Sequence, residues 1–288
     1  MSEIVFASED DMLLPKLLKM FNTSWFKVLT FFEVWSVLWL PIAFVVSRSI
    51  DWQPNEPLIP KQKLILLASL YLLSPIVLGW KIALENLSFI SIGLNLDVKL
   101  FTSILLGLVI GLASLIIVFA FESIFNLVSW HRQNSPELFS LLLPILVLSL
   151  FISLIEEFIF RGYVFNTLVS DYSYWISAIV SSLIFAALHL IWERKETLPQ
   201  IPGLWLMGMI LVGAEIVNRG SLGLAIGLHA SWIWGLTCID SAQLLTYERK
   251  NSWLTGFNQQ PLAGIAGMSC LAITGFALWL AAYNNFVW

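Results

Sequence analysis

The chain has 288 residues, of which 58% are hydrophobic and 12% are charged, whereas a soluble domain carries about 25% charged residues. With 14 tryptophans and 20 phenylalanines it has more apolar surface than one soluble core can bury, which argues against a water-soluble fold. The net charge of -4 and the absence of a basic stripe argue against a nucleic-acid partner.

The N-terminal segment, residues 1–22, is expected to be a polar cap followed by a short interfacial helix around residues 13–21. Its acidic residues come before its lysines, and it lacks a positive stretch followed by an apolar one. A cleavable signal peptide is therefore not expected. The membrane domain is expected to occupy residues 23–288.

Eight stretches are long and apolar enough to span a bilayer, which requires about 20 mostly apolar residues. They lie near residues 25–46, 64–84, 100–121, 138–160, 174–192, 203–217, 222–239 and 264–286. None of the polar loops between them is long enough to form a soluble domain. The pattern predicts an all-α, multi-pass integral membrane protein with about eight helices in one bundle, surrounded by lipid.

The fourth predicted helix ends in LSLFISLIEEFIFRGYVF, which places two carboxylates and a guanidinium in an otherwise apolar segment. Each such group is costly in a membrane unless it is paired or hydrated. Glu157 and Arg161 are four residues apart on one face and are predicted to pair. Glu156 lies about 100° around the helix and is predicted to face elsewhere. The cluster indicates either general acid–base chemistry or an ion pair that only joins helices.

Two histidines lie within other predicted spans: His189 in FAALHL of the fifth and His229 in GLAIGLHASWIWG of the seventh. Each is either an interhelical hydrogen-bond donor or a catalytic group. The sixth predicted helix contains Glu215. Its expected partner is Arg219, four residues later on the same face, and a role in the polar site is the alternative.

Carboxylates, an arginine and imidazoles inside a helical bundle suit the activation of water and the stabilisation of a tetrahedral oxyanion. This combination predicts amide hydrolysis without a covalent nucleophile, since neither Ser153 nor Ser231 lies in a GxSxG motif. A zinc site made from glutamate and the two histidines is the rival interpretation. The chain has no HExxH motif, and Arg161 would add positive charge beside the metal.

The order of these motifs resembles that of the CAAX protease and bacteriocin-processing family of membrane proteins, also called CPBP or Abi. This family includes the type II CAAX prenyl endopeptidases. EEFIFRG at residues 156–162 is similar to the EExxxR motif of the family, and FAALH at residues 185–189 is similar to its FxxxH motif. His229 matches its last histidine. The resemblance covers residues 139–240.

The resemblance implies an intramembrane glutamic endopeptidase that acts on a membrane protein or peptide. No cofactor and no metal ligands are expected, with the zinc site as the alternative. Glu156 and His189 would activate the attacking water. Glu157 and Arg161 would support that site, and His229 would help to hold the oxyanion.

One position departs from the family pattern. The last motif is commonly HxxxN, whose asparagine donates to the oxyanion, and here Ile233 takes its place. Loss of one such donor costs about 100- to 1000-fold in rate. Ser231, Trp232 and Trp234 are the nearby candidates to replace it.

The tail motif QQPLAGIAG, together with HASWIWG, resembles the branch of the family found in cyanobacteria and plastids. The expected location is therefore a plasma membrane or an internal membrane such as the thylakoid. Some relatives in that branch act as scaffolds or assembly factors. A non-proteolytic scaffold that holds partners in a membrane complex is thus the alternative function.

Overall fold

The computed structural model describes residues 21–53, 58–192, 194–248 and 251–283. Its long helices, numbered here in chain order, match the predicted spans. They are α1 (Ser24–Ser49), α2 (Pro60–Leu84), α3 (Val98–Ile124), α4 (Ser135–Glu157), α5 (Tyr174–Leu188), α6 (Ile201–Val217), α7 (Gly223–Ser241) and α8 (Ile265–Tyr283). The prediction for residues 1–22 falls almost wholly outside the described residues, as does the end of the eighth predicted span, residues 284–286.

Within the described ranges, seven helical segments are long and apolar enough to cross a membrane. They contain α1 to α6 and α8. The exception is α7, which contains His229 and Asp240, so that no stretch of 18 residues within it is as apolar as those of the other helices. Every residue from 223 to 232 in α7 is buried, so protein rather than lipid surrounds this half of the helix. The prediction of an all-α, multi-pass integral membrane protein is confirmed.

The chain divides into two compact units, and the smaller one comprises residues 1–81 and 167–173. Within it, α1 and the first part of α2 are joined by indole hydrogen bonds. Trp35 Nε1 donates to the carbonyl oxygen of Leu70 at 3.2 Å. One turn later in α1, Trp39 Nε1 donates to Ser69 Oγ of α2 at 3.0 Å. These bonds satisfy polar groups that lipid would leave unpaired.

Asp171 holds the N-terminus of α1 in this smaller unit. Its Oδ2 accepts a hydrogen bond from the backbone N–H of Ser24 at 2.7 Å. The first N–H groups of a helix have no partner within the helix, and a carboxylate satisfies them well. This N–H lowers the pKa of Asp171 below its ordinary value.

The larger unit comprises residues 82–166 and 174–288, and α7 packs there against α3 and α4. Glycines allow a close approach between α3 and α7. A Cβ on Gly227 would lie 2.1 Å from the carbonyl oxygen of Ile104, and one on Gly107 would lie 2.5 Å from that of Leu224. Side chains at these positions would separate the two backbones, so glycine is required for this contact.

Two small antiparallel ladders lie at one end of the helices of the larger unit. β1 (Val128–Trp130) pairs with β2 (Leu245–Tyr247), which links the segments following α3 and α7. β3 (Asn251–Ser252) pairs with β4 (Gly256–Phe257) in the connection to α8. The sequence pattern did not predict these strands, since each is only two or three residues long.

Candidate functional site

The fourth helix changes its winding immediately after the two glutamates. α4 ends at Glu157, a π-helical segment follows at Phe158–Phe165, and one α-helical turn completes the element at Asn166–Val169. π-Helical turns are rare and occur often at functional sites. The predicted fourth span, residues 138–160, is therefore only part of a longer element, and Arg161 lies within its widened part.

Side chains satisfy three consecutive carbonyl oxygens of the π-helical segment. Ser181 Oγ on α5 donates to Phe160 O at 2.9 Å. Asn166 Nδ2 donates to Arg161 O at 3.0 Å and to Gly162 O at 3.1 Å. Buried carbonyl groups require such partners, so these side chains stabilise the irregular winding.

The predicted pair of Glu157 and Arg161 is present. Arg161 Nη1 donates to Glu157 Oε1 at 3.1 Å, and both side chains are fully buried. Arg161 Nη2 donates to the carbonyl oxygen of Gly208 on α6 at 3.2 Å. The guanidinium carbon also lies 4.6 Å from the ring centroid of Phe185. A carboxylate, a carbonyl group and an aromatic face together compensate the buried cation.

The same glutamate oxygen binds His229, which is also buried. His229 Nδ1 lies 2.7 Å from Glu157 Oε1, and His229 Nε2 lies 3.6 Å from Glu156 Oε2. The two neighbouring glutamates thus approach the two different nitrogens of one imidazole. Because Glu157 Oε1 accepts from Arg161, it acts as an acceptor toward the imidazole too, and Nδ1 carries a proton. The Nε2 atom then faces Glu156.

Phe185 brings His189 close to this group. His189 lies in the 3₁₀ turn His189–Ile191 after α5, and its Nδ1 is 2.8 Å from the carbonyl oxygen of Phe185. The centroid of the Phe185 ring is 4.7 Å from that of His189 and 5.8 Å from that of His229. The aromatic residue of the FxxxH motif therefore lies beside both imidazoles. The expectation that Glu156 and His189 act on one water stays a prediction.

The expected pairing of Glu215 with Arg219 is wrong. Glu215 is buried, and its Oε1 accepts a hydrogen bond from Asn166 Nδ2 at 3.1 Å. α6 ends at Val217, and Arg219 is exposed with a φ of 56° in the turn beyond it. The spacing of four residues places two side chains on one face only where the helix continues through both.

None of the three proposed replacements for the missing asparagine donates into the site. Ser231 Oγ donates to Leu228 O at 2.7 Å, Trp232 Nε1 donates to Ser114 Oγ at 3.0 Å, and Trp234 Nε1 donates to Leu142 O at 2.9 Å. These side chains satisfy carbonyl or hydroxyl groups of the helices around them. Ile233 itself is half-buried.

The described part of the chain contains no group of three or more histidine, cysteine, aspartate or glutamate side chains arranged to hold a metal ion. Zinc binding in proteins usually needs at least three such ligands. Glu156, His189 and His229 do not converge in that way, so the zinc interpretation lacks a donor set here.

Two groups of the site were missed in the sequence. Asn166 follows the EExxxR motif by five residues, and an asparagine in an apolar span is a signal that could have identified it. The Gly208 carbonyl oxygen has no signal in the sequence, because a backbone acceptor depends only on where two helices cross.

Residues 138–235 match the model of the family described as Type II CAAX prenyl endopeptidase Rce1-like. The matched segment begins in α4 and ends in α7, and it includes Glu156, Glu157, Arg161, His189 and His229. It agrees closely with the predicted core, residues 139–240. No curated protein matches the chain. The resemblance to the CAAX protease family is confirmed over this segment.

Proposed function

We propose that this protein, which matches the CAAX protease family over residues 138–235, is an intramembrane endopeptidase that hydrolyses a peptide bond of a membrane protein or peptide. The observation that carries the proposal is the setting of His229. Its two nitrogens lie beside two buried glutamates, and one of those glutamates is paired with a buried arginine. Ionisable groups are costly inside a membrane and are generally functional there.

Glu157 orients the imidazole in this proposal. Its Oε1 accepts from Arg161 and from His229 Nδ1, so the imidazole ring cannot rotate without breaking a short hydrogen bond. This arrangement corresponds to the acid that orients the histidine in hydrolytic triads. Arg161 donates to the same Glu157 oxygen and stays fixed through its bond to Gly208 O.

Glu156 and His189 activate the attacking water. Glu156 takes a proton from the water as the oxygen attacks the carbonyl carbon of the peptide bond. His189 Nδ1 is directed to the Phe185 carbonyl oxygen, which makes Nδ1 the protonated nitrogen and Nε2 the acceptor for the same water. When the tetrahedral intermediate collapses, the C–N bond breaks and Glu156 returns the proton to the leaving amine.

His229 stabilises the oxyanion. In this proposal it donates from Nδ1 to Glu157 and from Nε2 toward the oxygen that becomes negative. A preorganised donor of this kind lowers the barrier most where water is excluded, and His229 is only 2% exposed.

The test compares wild-type protein, Glu156→Ala and Glu137→Ala, purified in detergent, on a panel of membrane-derived peptides. Glu137 is an exposed acid in the first turn of the same helix and serves as the matched control. Loss of the general base is expected to lower kcat by at least about 100-fold in Glu156→Ala and to leave Glu137→Ala unchanged. Equal cleavage by wild type and Glu156→Ala would refute the proposal.

A non-proteolytic scaffold is the second candidate, and one observation favours it. The side chains beside Ile233 that were expected to replace the missing oxyanion donor bond other helices instead. Complementation of a deletion strain distinguishes the two functions. Full rescue by both Glu156→Gln and His189→Ala would support the scaffold, whereas failure of both variants to rescue, at normal protein levels, would support catalysis.

A further inference from the structure

Asn166 and Glu215 form a second polar pair, which contacts the π-helical segment and has no part in the proposed mechanism. Asn166 Nδ2 donates to Glu215 Oε1 at 3.1 Å, and the same nitrogen donates to Arg161 O and Gly162 O in the π-helical segment. Glu215 is 2% exposed, and its Oε2 is buried without a hydrogen-bond partner. A buried glutamate in a membrane helix is costly, so this one requires an explanation.

α6 contacts the π-helical segment at two points. The Gly208 carbonyl oxygen accepts from the Arg161 side chain, and seven residues later Glu215 accepts from Asn166. Positions seven apart lie on the same face of an α-helix. The same helix face thus holds Arg161 through its guanidinium and, by way of Asn166, through its backbone carbonyl.

We infer that Asn166 and Glu215 are positioning residues for Arg161, and through it for Glu157 and His229. Glu215 orients the amide of Asn166, and that amide fixes the carbonyl groups of residues 161 and 162. The inference rests on the proposed function, because it assigns these two residues to the same reaction. Neither residue is assigned a contact with the substrate.

The contacts connect Asn166 to His229 by way of Arg161 and Glu157. A shift of the Arg161 backbone moves the guanidinium away from Glu157, whose Oε1 holds His229 Nδ1 at 2.7 Å. A displacement of about 1 Å in a catalytic group costs roughly 100-fold in rate. We expect kcat to fall and KM to stay unchanged, because the displacement moves the reacting groups and leaves the substrate contacts in place.

The experiment uses the full chain in detergent with Asn166→Ala, Glu215→Leu and Glu215→Gln. Asn166→Ala and Glu215→Leu are expected to lower kcat by about 10- to 100-fold with KM unchanged. Glu215→Gln keeps an oxygen acceptor for Asn166 and is expected to restore most of kcat. Glu122→Leu is the matched control, because Glu122 is another buried glutamate with an unpartnered oxygen, on α3.

A spectroscopic readout separates this inference from the proposed function. With ¹⁵N-labelled histidine, the Nδ1–H signal of His229, identified by its loss in His229→Asn, reports the hydrogen bond to Glu157. It is expected to shift in Asn166→Ala and Glu215→Leu and to stay in place in Glu215→Gln.

The outcomes can be told apart. Equal cleavage by wild type and Glu156→Ala refutes the proposed function, and the histidine signal still tests the positioning role. A loss of activity confined to Glu156→Ala, with wild-type kcat in Asn166→Ala and Glu215→Leu, overturns the inference alone. An unshifted histidine signal in Asn166→Ala also overturns it, as does a Glu215→Gln variant as slow as Glu215→Leu.

Discussion

Replacing Glu157 by leucine is expected to destabilise the larger unit strongly, although the new side chain is compatible with the membrane. Glu157 Oε1 accepts two hydrogen bonds from groups that carry or can carry positive charge. Its removal leaves the fully buried Arg161 guanidinium with the Gly208 carbonyl oxygen and the face of Phe185. The leucine variant therefore retains a buried cation that has lost its hydrogen-bonded counter-charge.

The expected magnitude follows from these contacts. Hydrogen bonds to charged groups contribute about 1.5–3 kcal/mol each, and breaking a buried ion pair by removing one partner costs about 3–5 kcal/mol. We expect Glu157→Leu to lose about 3–5 kcal/mol of unfolding free energy. The double variant Glu157→Leu/Arg161→Met removes the cation as well. It is expected to be more stable than Glu157→Leu by at least about 2 kcal/mol, even though it also loses the hydrogen bond from Arg161 to Gly208 O.

Unfolding by denaturant in mixed micelles, followed by tryptophan fluorescence, measures these differences. Glu137→Leu is the control, since it makes the same substitution at an exposed position of the same helix. The reasoning is refuted if Glu157→Leu is as stable as Glu137→Leu. It is also refuted if the double variant is no more stable than Glu157→Leu, because an uncompensated Arg161 would then not be the cause.

Three further outcomes test the packing, the oxyanion site and the smaller unit. Gly227→Ala is expected to cost about 1–3 kcal/mol of unfolding free energy, because its Cβ would meet the α3 backbone. Gly213→Ala, where nothing lies within 4 Å, should be neutral or stabilising, and an equal loss in both would contradict the close helix contact. Ile233→Asn should raise kcat by up to about 100-fold. Ile239→Asn, further along α7, is the control and should leave kcat unchanged. An unchanged kcat in a folded Ile233→Asn protein would exclude an asparagine-type donor at position 233. Asp171→Ala should lower the melting temperature most above about pH 4. The lowered pKa of Asp171 makes its contribution present above the unfolded value and lost as the pH falls, so a difference that persists in acid would contradict it.

The helices were predictable because lipid imposes a strong constraint on the sequence. A span must be apolar for about 20 residues, so each predicted stretch corresponds to a helix of the structure. The strands of two or three residues were not predictable, since their pairing depends on which helix ends are adjacent. The π-helical turn was equally hidden, because its support comes from Ser181 on another helix and from Asn166 beyond it.

The site was predictable as far as spacing on one helix determines contact. Glu157 and Arg161 pair because the helical element continues through both positions, although its winding changes from α to π after Glu157. The same rule failed for Glu215 and Arg219, where α6 ends between them. The rule also gives no information on which partner another helix supplies. The hydrogen bonds of Arg161 to Gly208 O and of Asn166 to Glu215 form where two helices cross, so they can be known only from the fold.

The structure adds contacts that bear on the roles proposed for the two adjacent glutamates. From sequence, the pair of Glu157 and Arg161 could be purely structural, with the chemistry left to Glu156. In the structure the ion pair also includes an imidazole, since Glu157 Oε1 is 2.7 Å from His229 Nδ1. Successive residues of a helix diverge by about 100°, which lets two neighbouring carboxylates reach different nitrogens of one ring. Arg161 Nη1 donates at 3.1 Å to Glu157 Oε1, the same oxygen that meets the imidazole, and this fits the orienting role proposed for Glu157.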